Sequence, residues 1–152
     1  MKLSDVRSPI GLLQEELCHD PWKMIVGCQM LNCTSIKQVR QVVWKFFDRF
    51  PSAADCAVAD ESEIVEIIRP LGFQNRRAKL LKKMSFRYDE FRALPTFDEN
   101  ISALPGVGKY VSDSYQIFIR RVIPDDMVVT DKELKRYVEW ARGKIVEQKD
   151  VF

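Results

Sequence analysis

Helix-capping residues followed by apolar residues at three- and four-residue intervals run through this sequence from end to end, and strand signals do not recur. Ser8-Pro9 reads as an N-cap with proline at the first helical position, followed by Ile10, Leu13 and Leu17. Asp20-Pro21 repeats the device and opens a more uniformly apolar helix, Trp22 to Leu31. Thr34 or Ser35 caps a third, marked on one face by Val39, Val42, Val43, Phe46, Phe47 and Phe50 and ended by Pro51. Ser52 and Asp60 each begin a short helix. A longer one is expected from about Arg76 to Phe91, with Ala78, Leu81, Met84 and Tyr88 inward. A short segment, Phe97 to Ala103, then precedes helices from Lys109 to about Arg121 and from Asp131 to about Val146. No repeat, low-complexity tract or linker interrupts the pattern, so residues 1–152 predict a single all-α domain.

A net charge of +2 excludes a strongly basic tail or an acidic solvating segment, but the distribution is uneven. Between Arg69 and Arg92 stand eight basic residues (Arg69, Arg76, Arg77, Lys79, Lys82, Lys83, Arg87, Arg92) against Asp89 and Glu90, leaving −4 for the rest. Taken alone, a solvated helix face explains this better than a patch that neutralises phosphates, which is the competing explanation. One histidine, His19, removes most Ser-His-Asp, Cys-His and multi-histidine metal chemistries. Cys18, Cys28, Cys33 and Cys56 lack C-x-x-C spacing and read as reduced thiols. No apolar run reaches the ~18–20 residues that cross a bilayer, and the N-terminus lacks a secretory stretch, so no membrane association and an intracellular setting are expected.

The most specific local signal is Leu104-Pro105-Gly106-Val107-Gly108-Lys109-Tyr110. Two glycines two apart allow positive φ and close backbone approach. A helix starting at once behind them offers open N–H groups to a phosphate. A Gly-x-Gly alone is weak; Leu and Pro before it and helices on both sides make it stronger. This run resembles the hairpin of the helix-hairpin-helix DNA glycosylases, which include endonuclease III and the adenine glycosylases. More narrowly, the chain resembles the catalytic domain of the methyl-CpG-binding-domain thymine glycosylases. The likeness extends from Arg7-Ser8-Pro9 to Trp140, through Gln14-Glu15, His19-Asp20-Pro21-Trp22-Lys23, Leu31-Asn32-x-Thr34-Ser35, Pro70-Leu71-Gly72, Arg77-Ala78-Lys79, Asp113-Ser114-Tyr115 and Asp131-x-x-Leu134.

The resemblance implies a two-lobed fold and excision of thymine or uracil opposite guanine by hydrolysis of the N-glycosidic bond in base excision repair. It assigns the catalytic carboxylate to Asp131, whose register with Leu134, Tyr137 and Trp140 favours it over Asp125 and Asp126. A competing explanation is a capping box, Thr130-x-x-Glu133. Gln14 and Tyr110 are implied to line the flipped-base pocket, and Leu104, Gly106, Val107, Gly108 and Lys109 to meet DNA, with Lys109 facing phosphate. Tyr110 stands where strand-cutting relatives carry a Schiff-base lysine, which implies base removal only. Phe73 and Cys33 fall at the two insertion positions, Cys33 replacing the arginine of the thymine glycosylases. Cysteine is too short to fill a base-sized gap, so Phe73 is expected to carry more of the wedge.

No cysteine follows Cys56, so the four-cysteine iron–sulfur motif of endonuclease III-like members is missing and no cluster is expected. The expectation is a catalytic domain alone or a fragment, monomeric, without catalytic metal or redox cofactor. The resemblance allows a monovalent cation at the hairpin. Its partner is double-stranded DNA with a G:T or G:U mismatch, in the nucleus of a eukaryote or wherever else the DNA lies. Two alternatives stand: a helix-hairpin-helix module that binds DNA without catalysis, and a bifunctional glycosylase/lyase using Lys109.

Overall fold

The structure, a computed structural model, describes Leu3 and residues 7–150, with side chains up to Gly143. Among these residues the chain is helical throughout: α1 (Leu13–Leu17), α2 (Pro21–Leu31), α3 (Ile36–Arg49), α4 (Ala53–Val58), α5 (Glu61–Ile68), α6 (Gln74–Phe91), α7 (Lys109–Phe118) and α8 (Lys132–Asp150). Two 3₁₀ turns, Arg69–Leu71 and Asp98–Ala103, join them. No helix of the described residues is long and apolar enough to cross a membrane.

Side-chain caps set several of the helix starts. Asp20 accepts the Lys23 N–H at 3.1 Å with Pro21 at the first helical position. Ser35, rather than Thr34, caps α3, and Gln38 reaches back to its N–H at 3.2 Å. Ser8-Pro9 does not open α1. Gly11, at φ +71°, breaks the chain, and α1 starts only after Leu12. The buried Glu15 carboxylate instead accepts the Ser8 N–H and hydroxyl and the Leu12 N–H, at 2.7, 2.9 and 2.9 Å. The α6 helix begins two residues before the expected Arg76, behind Phe73 in a left-handed conformation. The α7 helix stops at Phe118, short of Arg121, which has φ +60°.

Packing divides the chain into two lobes. The larger core surrounds α2, whose Trp22, Met24, Ile25, Val26, Cys28 and Met30 are all buried. Trp22 stacks against Phe46 and Phe47 of α3 and donates its indole N–H to Ser85 of α6 at 2.9 Å, so its one polar atom is satisfied. The smaller core joins Leu12, Ile117, Phe118 and Ile123 to the inner face of α8: Leu134, Tyr137, Val138 and Ala141. The chain crosses between lobes in two places. Leu12 belongs to one core and Leu13 to the other, while α7 gives Val111 and Tyr115 to the large core and Ile117 and Phe118 to the small.

All four tyrosines are wholly or partly buried within this packing. Burial pushes the Tyr88 and Tyr137 phenols up to about 12 and raises those of Tyr110 and Tyr115 as well. A phenol raised above its unfolded value of about 10 stabilises the fold fully below that pH. It does so less and less above it, because the unfolded chain ionises first. Tyrosinate absorbance should therefore stay low at about pH 10 and then rise steeply, together with loss of helical circular dichroism. A gradual titration near that pH with helices intact would contradict this packing.

Candidate active site

The hairpin between the second 3₁₀ turn and α7 is held from both sides. Tyr115 donates its hydroxyl to Asp98, fixing the turn on α7, and Leu104 and Val107 are buried. The Val107 N–H closes the loop on the Leu104 carbonyl at 3.2 Å. Gly106 is required twice: its φ is +73°, and a Cβ would stand 2.7 Å from both Gln29 Nε2 and Leu80 Cδ2. Gly108 differs from the sequence expectation, with φ −94° and open space where a Cβ would be. As N-cap of α7 it offers no side-chain acceptor, so the N–H groups of the first turn remain open to an external anion. They border a cavity of about 570 Å³ that also takes in Cys28, Asn32, Ser102, Lys109 and Tyr110.

Lys109 is engaged within the protein. Its ammonium donates to Asp113 at 2.6 Å and to the Val128 carbonyl at 2.7 Å, tying α7 to the segment that leads to Asp131. A phosphate contact by Lys109 would have to compete with this pair.

Between the lobes lies a cleft of about 570 Å³ that brings together Gln14, Tyr110 and Asp131. Gln14, buried on α1, donates its amide to the Tyr110 hydroxyl at 2.8 Å and to Ser114 at 3.4 Å. Cys28 lies beneath this cluster. Burial pushes its thiol up to about 12, and the Asp131 carboxylate adds to the rise. Tyr110 is raised by burial first, then by Cys28 and Asp131, and stays neutral at ordinary pH.

Asp131 is the cap of α8, not its first helical residue as the sequence suggested. Its Oδ2 accepts the Glu133 and Leu134 N–H groups at 3.1 and 2.9 Å. Its Oδ1 accepts nothing among the described residues, so one oxygen fixes the carboxylate and the other is available. Capping and a chemical role are therefore compatible. Asp125 and Asp126 sit exposed in a turn and do not line the cleft. Among the described residues no lysine lines it either.

Cys33 and Phe73 come together at a third cavity, of about 280 Å³, with Gln29, Asn32, Arg76 and Arg77. Phe73 is 71% exposed, a large apolar ring held in water. Both residues are left-handed, at φ +60° and +47°. Arg77, counted in the sequence among the phosphate-facing charges, instead points its guanidinium at backbone carbonyls of Gly72, Gln29, Met30 and Asn32. Of the remaining basic segment, Arg69, Arg87 and Arg92 pair with Glu66, Glu90 and Asp89, Lys82 is half-buried, and Arg76, Lys79 and Lys83 stand exposed with no ion pair among the described residues. Asn32 lines all three cavities, and sequence reading had noted it only as part of a motif. Ser114 and Gln29 were likewise missed; the place of Ser114 one turn beyond Tyr110 was the available signal.

No group of three or more His, Cys, Asp or Glu among the described residues is placed to hold a metal ion. A monovalent cation at the hairpin would rest on backbone carbonyls. Those of Leu104 and Pro105 already accept from the Val107 N–H and from Gln29 Nε2, at 3.2 and 2.8 Å, and each keeps a second lone pair.

Known proteins of similar sequence and fold place the chain in a family. The chain is 40% identical over 124 residues to a methyl-CpG-binding domain protein 4-like protein of Arabidopsis thaliana, covering 79% of this chain and 27% of that protein. It is 40% identical over 95 residues to a thymine/uracil-DNA glycosylase of Pyrobaculum aerophilum, covering 61% and 41%. It thus spans less than half the length of these curated relatives. The structure of a thermostable thymine-DNA glycosylase superposes with a TM-score of 0.62 at 27% identity, over 66% of this chain and 48% of that one. A family model, HhH-GPD superfamily base excision DNA repair protein, matches residues 26–149. With the hairpin, the two lobes and the cleft between them, the chain belongs to the HhH-GPD superfamily of base excision DNA repair proteins.

Proposed function

We propose that this chain is the catalytic domain of a monofunctional DNA N-glycosylase that removes thymine or uracil opposite guanine by hydrolysis. The observation that carries this reading is the composition of the interlobe cleft: an amide–phenol pair and, among the described residues, a carboxylate with one unpartnered oxygen and no lysine. Cleaving an N-glycosidic bond builds positive charge on the sugar. Asp131 Oδ1 would stabilise that charge and orient or deprotonate the attacking water. Without a lysine in the cleft, water is the nucleophile and the strand stays intact. Gln14, with its amide nitrogen committed to Tyr110 and Ser114, retains a carbonyl able to accept the N3–H of thymine or uracil. The target must leave the helix to reach the cleft, at a cost of a few kcal/mol that is lowest at a mismatch. Phe73 would fill the gap from the neighbouring cavity.

The protein would act as a monomer on double-stranded DNA. The open N–H groups of α7 and the unpaired Arg76, Lys79 and Lys83 would meet phosphates. A monovalent cation at the hairpin carbonyls would add to that attraction. A module that only binds DNA would need Asp131 as the cap of α8 but would have no use for its second oxygen facing the amide–phenol pair.

Two outcomes follow. Asp131→Asn should lower single-turnover excision from G:T and G:U duplexes by ~10²–10³-fold while mismatch binding survives. Full activity in Asp131→Asn with a dead Asp125→Asn or Asp126→Asn would place the catalytic carboxylate elsewhere. Arg76→Ala and Lys83→Ala should each reduce the slope of log K against log salt by about 0.9. An unchanged slope in both would remove α6 from the DNA interface.

A further inference from the structure

We propose that Arg77 is the positioning residue of base extrusion: one guanidinium braces the two insertion loops, setting the separation of Cys33 and Phe73. This inference rests on the glycosylase reading above and adds a residue to it. Arg77 Nε donates to the Gly72 carbonyl at 2.9 Å, on the Phe73 side. Its two terminal nitrogens donate to the α2 end: one to Gln29 and Met30 at 3.2 and 3.4 Å, the other to Asn32 at 2.7 Å. Asn32 immediately precedes Cys33, and Gly72 immediately precedes Phe73.

Each tip residue therefore follows a carbonyl that Arg77 holds, and each adopts a left-handed conformation that side chains rarely take. Among the described residues no backbone hydrogen bond joins the two loops to each other. Among the described residues the guanidinium has no carboxylate partner, and its charge sits at the C-terminal end of α2, where the helix dipole favours a cation. Only a planar fork with five donors can serve both loops at once; an ammonium on a flexible stem can satisfy one side. Inserting a ring into a base step needs the tips at a fixed spacing, so loss of the brace should slow opening of the duplex and leave bond cleavage alone.

The test uses Arg77→Lys and Arg77→Gln, alone and combined with Phe73→Ala, in single-turnover removal of uracil from a G:U duplex and from a single strand. The single strand needs no wedge. Both Arg77 variants should lose on the order of tenfold or more on the duplex and stay near wild type on the single strand. Arg77→Gln should cost little more once Phe73 is already alanine. Hydrogen exchange of the free protein gives a readout independent of activity: Arg77→Gln should speed exchange in residues 31–34 and 72–74 together and spare α3 and α5. Equal losses on both substrates, full additivity with Phe73→Ala, or uniformly faster exchange would each overturn the brace. A wild-type protein that leaves uracil in both substrates would instead overturn the glycosylase reading beneath it.

Discussion

Helix α2 is enclosed by the larger lobe, so the carbonyls at its C-terminal end must find partners inside the protein. Arg77 supplies donors to Gln29, Met30 and Asn32, and the Thr34 hydroxyl donates to Met30. The side chain of Gln29 leaves the same turn in another direction and holds the Pro105 carbonyl of the hairpin at 2.8 Å. The two loops that carry Cys33 and Phe73, the hairpin and the cleft are thus arranged around the end of one helix. Asn32, the residue after that helix, borders all three cavities for this reason.

The cleft depends on the second lobe as much as the first. Tyr110 packs against both cores, and its hydroxyl is held by Gln14 from the segment where the chain crosses between lobes. Asp131 enters from the far side at the start of α8, which the small core anchors through Leu134 and Tyr137. A carboxylate fixed by two backbone N–H groups and a phenol kept neutral by burial need no rearrangement as charge develops, which is the condition for electrostatic stabilisation.

Local chemistry was legible in the sequence; long-range contacts were not. Asp20-Pro21, Ser35 and Pro51 set helix boundaries within a few residues, so they could be read directly. Ser8-Pro9 misled because Gly11 and the reach of Glu15 back to Ser8 outweigh a local cap. The three proposed site residues Gln14, Tyr110 and Asp131 came from resemblance, and the structure places them in one cleft. Arg77 was hidden because a basic residue in a basic run looks like surface. Its carbonyl partners at Gln29 to Asn32 lie more than forty positions away. The tie of Lys109 to the Val128 carbonyl was hidden for the same reason, since Val128 is nineteen positions distant.

The proposed activity is removal of the base from the sugar with the strand left whole, by a cleft that holds a fixed carboxylate and, among the described residues, no lysine. Incubation of the protein with G:T, G:U and A:T duplexes, split between hot alkali, borohydride and no treatment, reads this directly. Strand breaks are expected at the mismatched pyrimidine only after alkali, with none in the A:T duplex and no borohydride-trapped protein–DNA adduct. Breaks without alkali, together with a trapped adduct that Lys109→Ala abolishes, would contradict it.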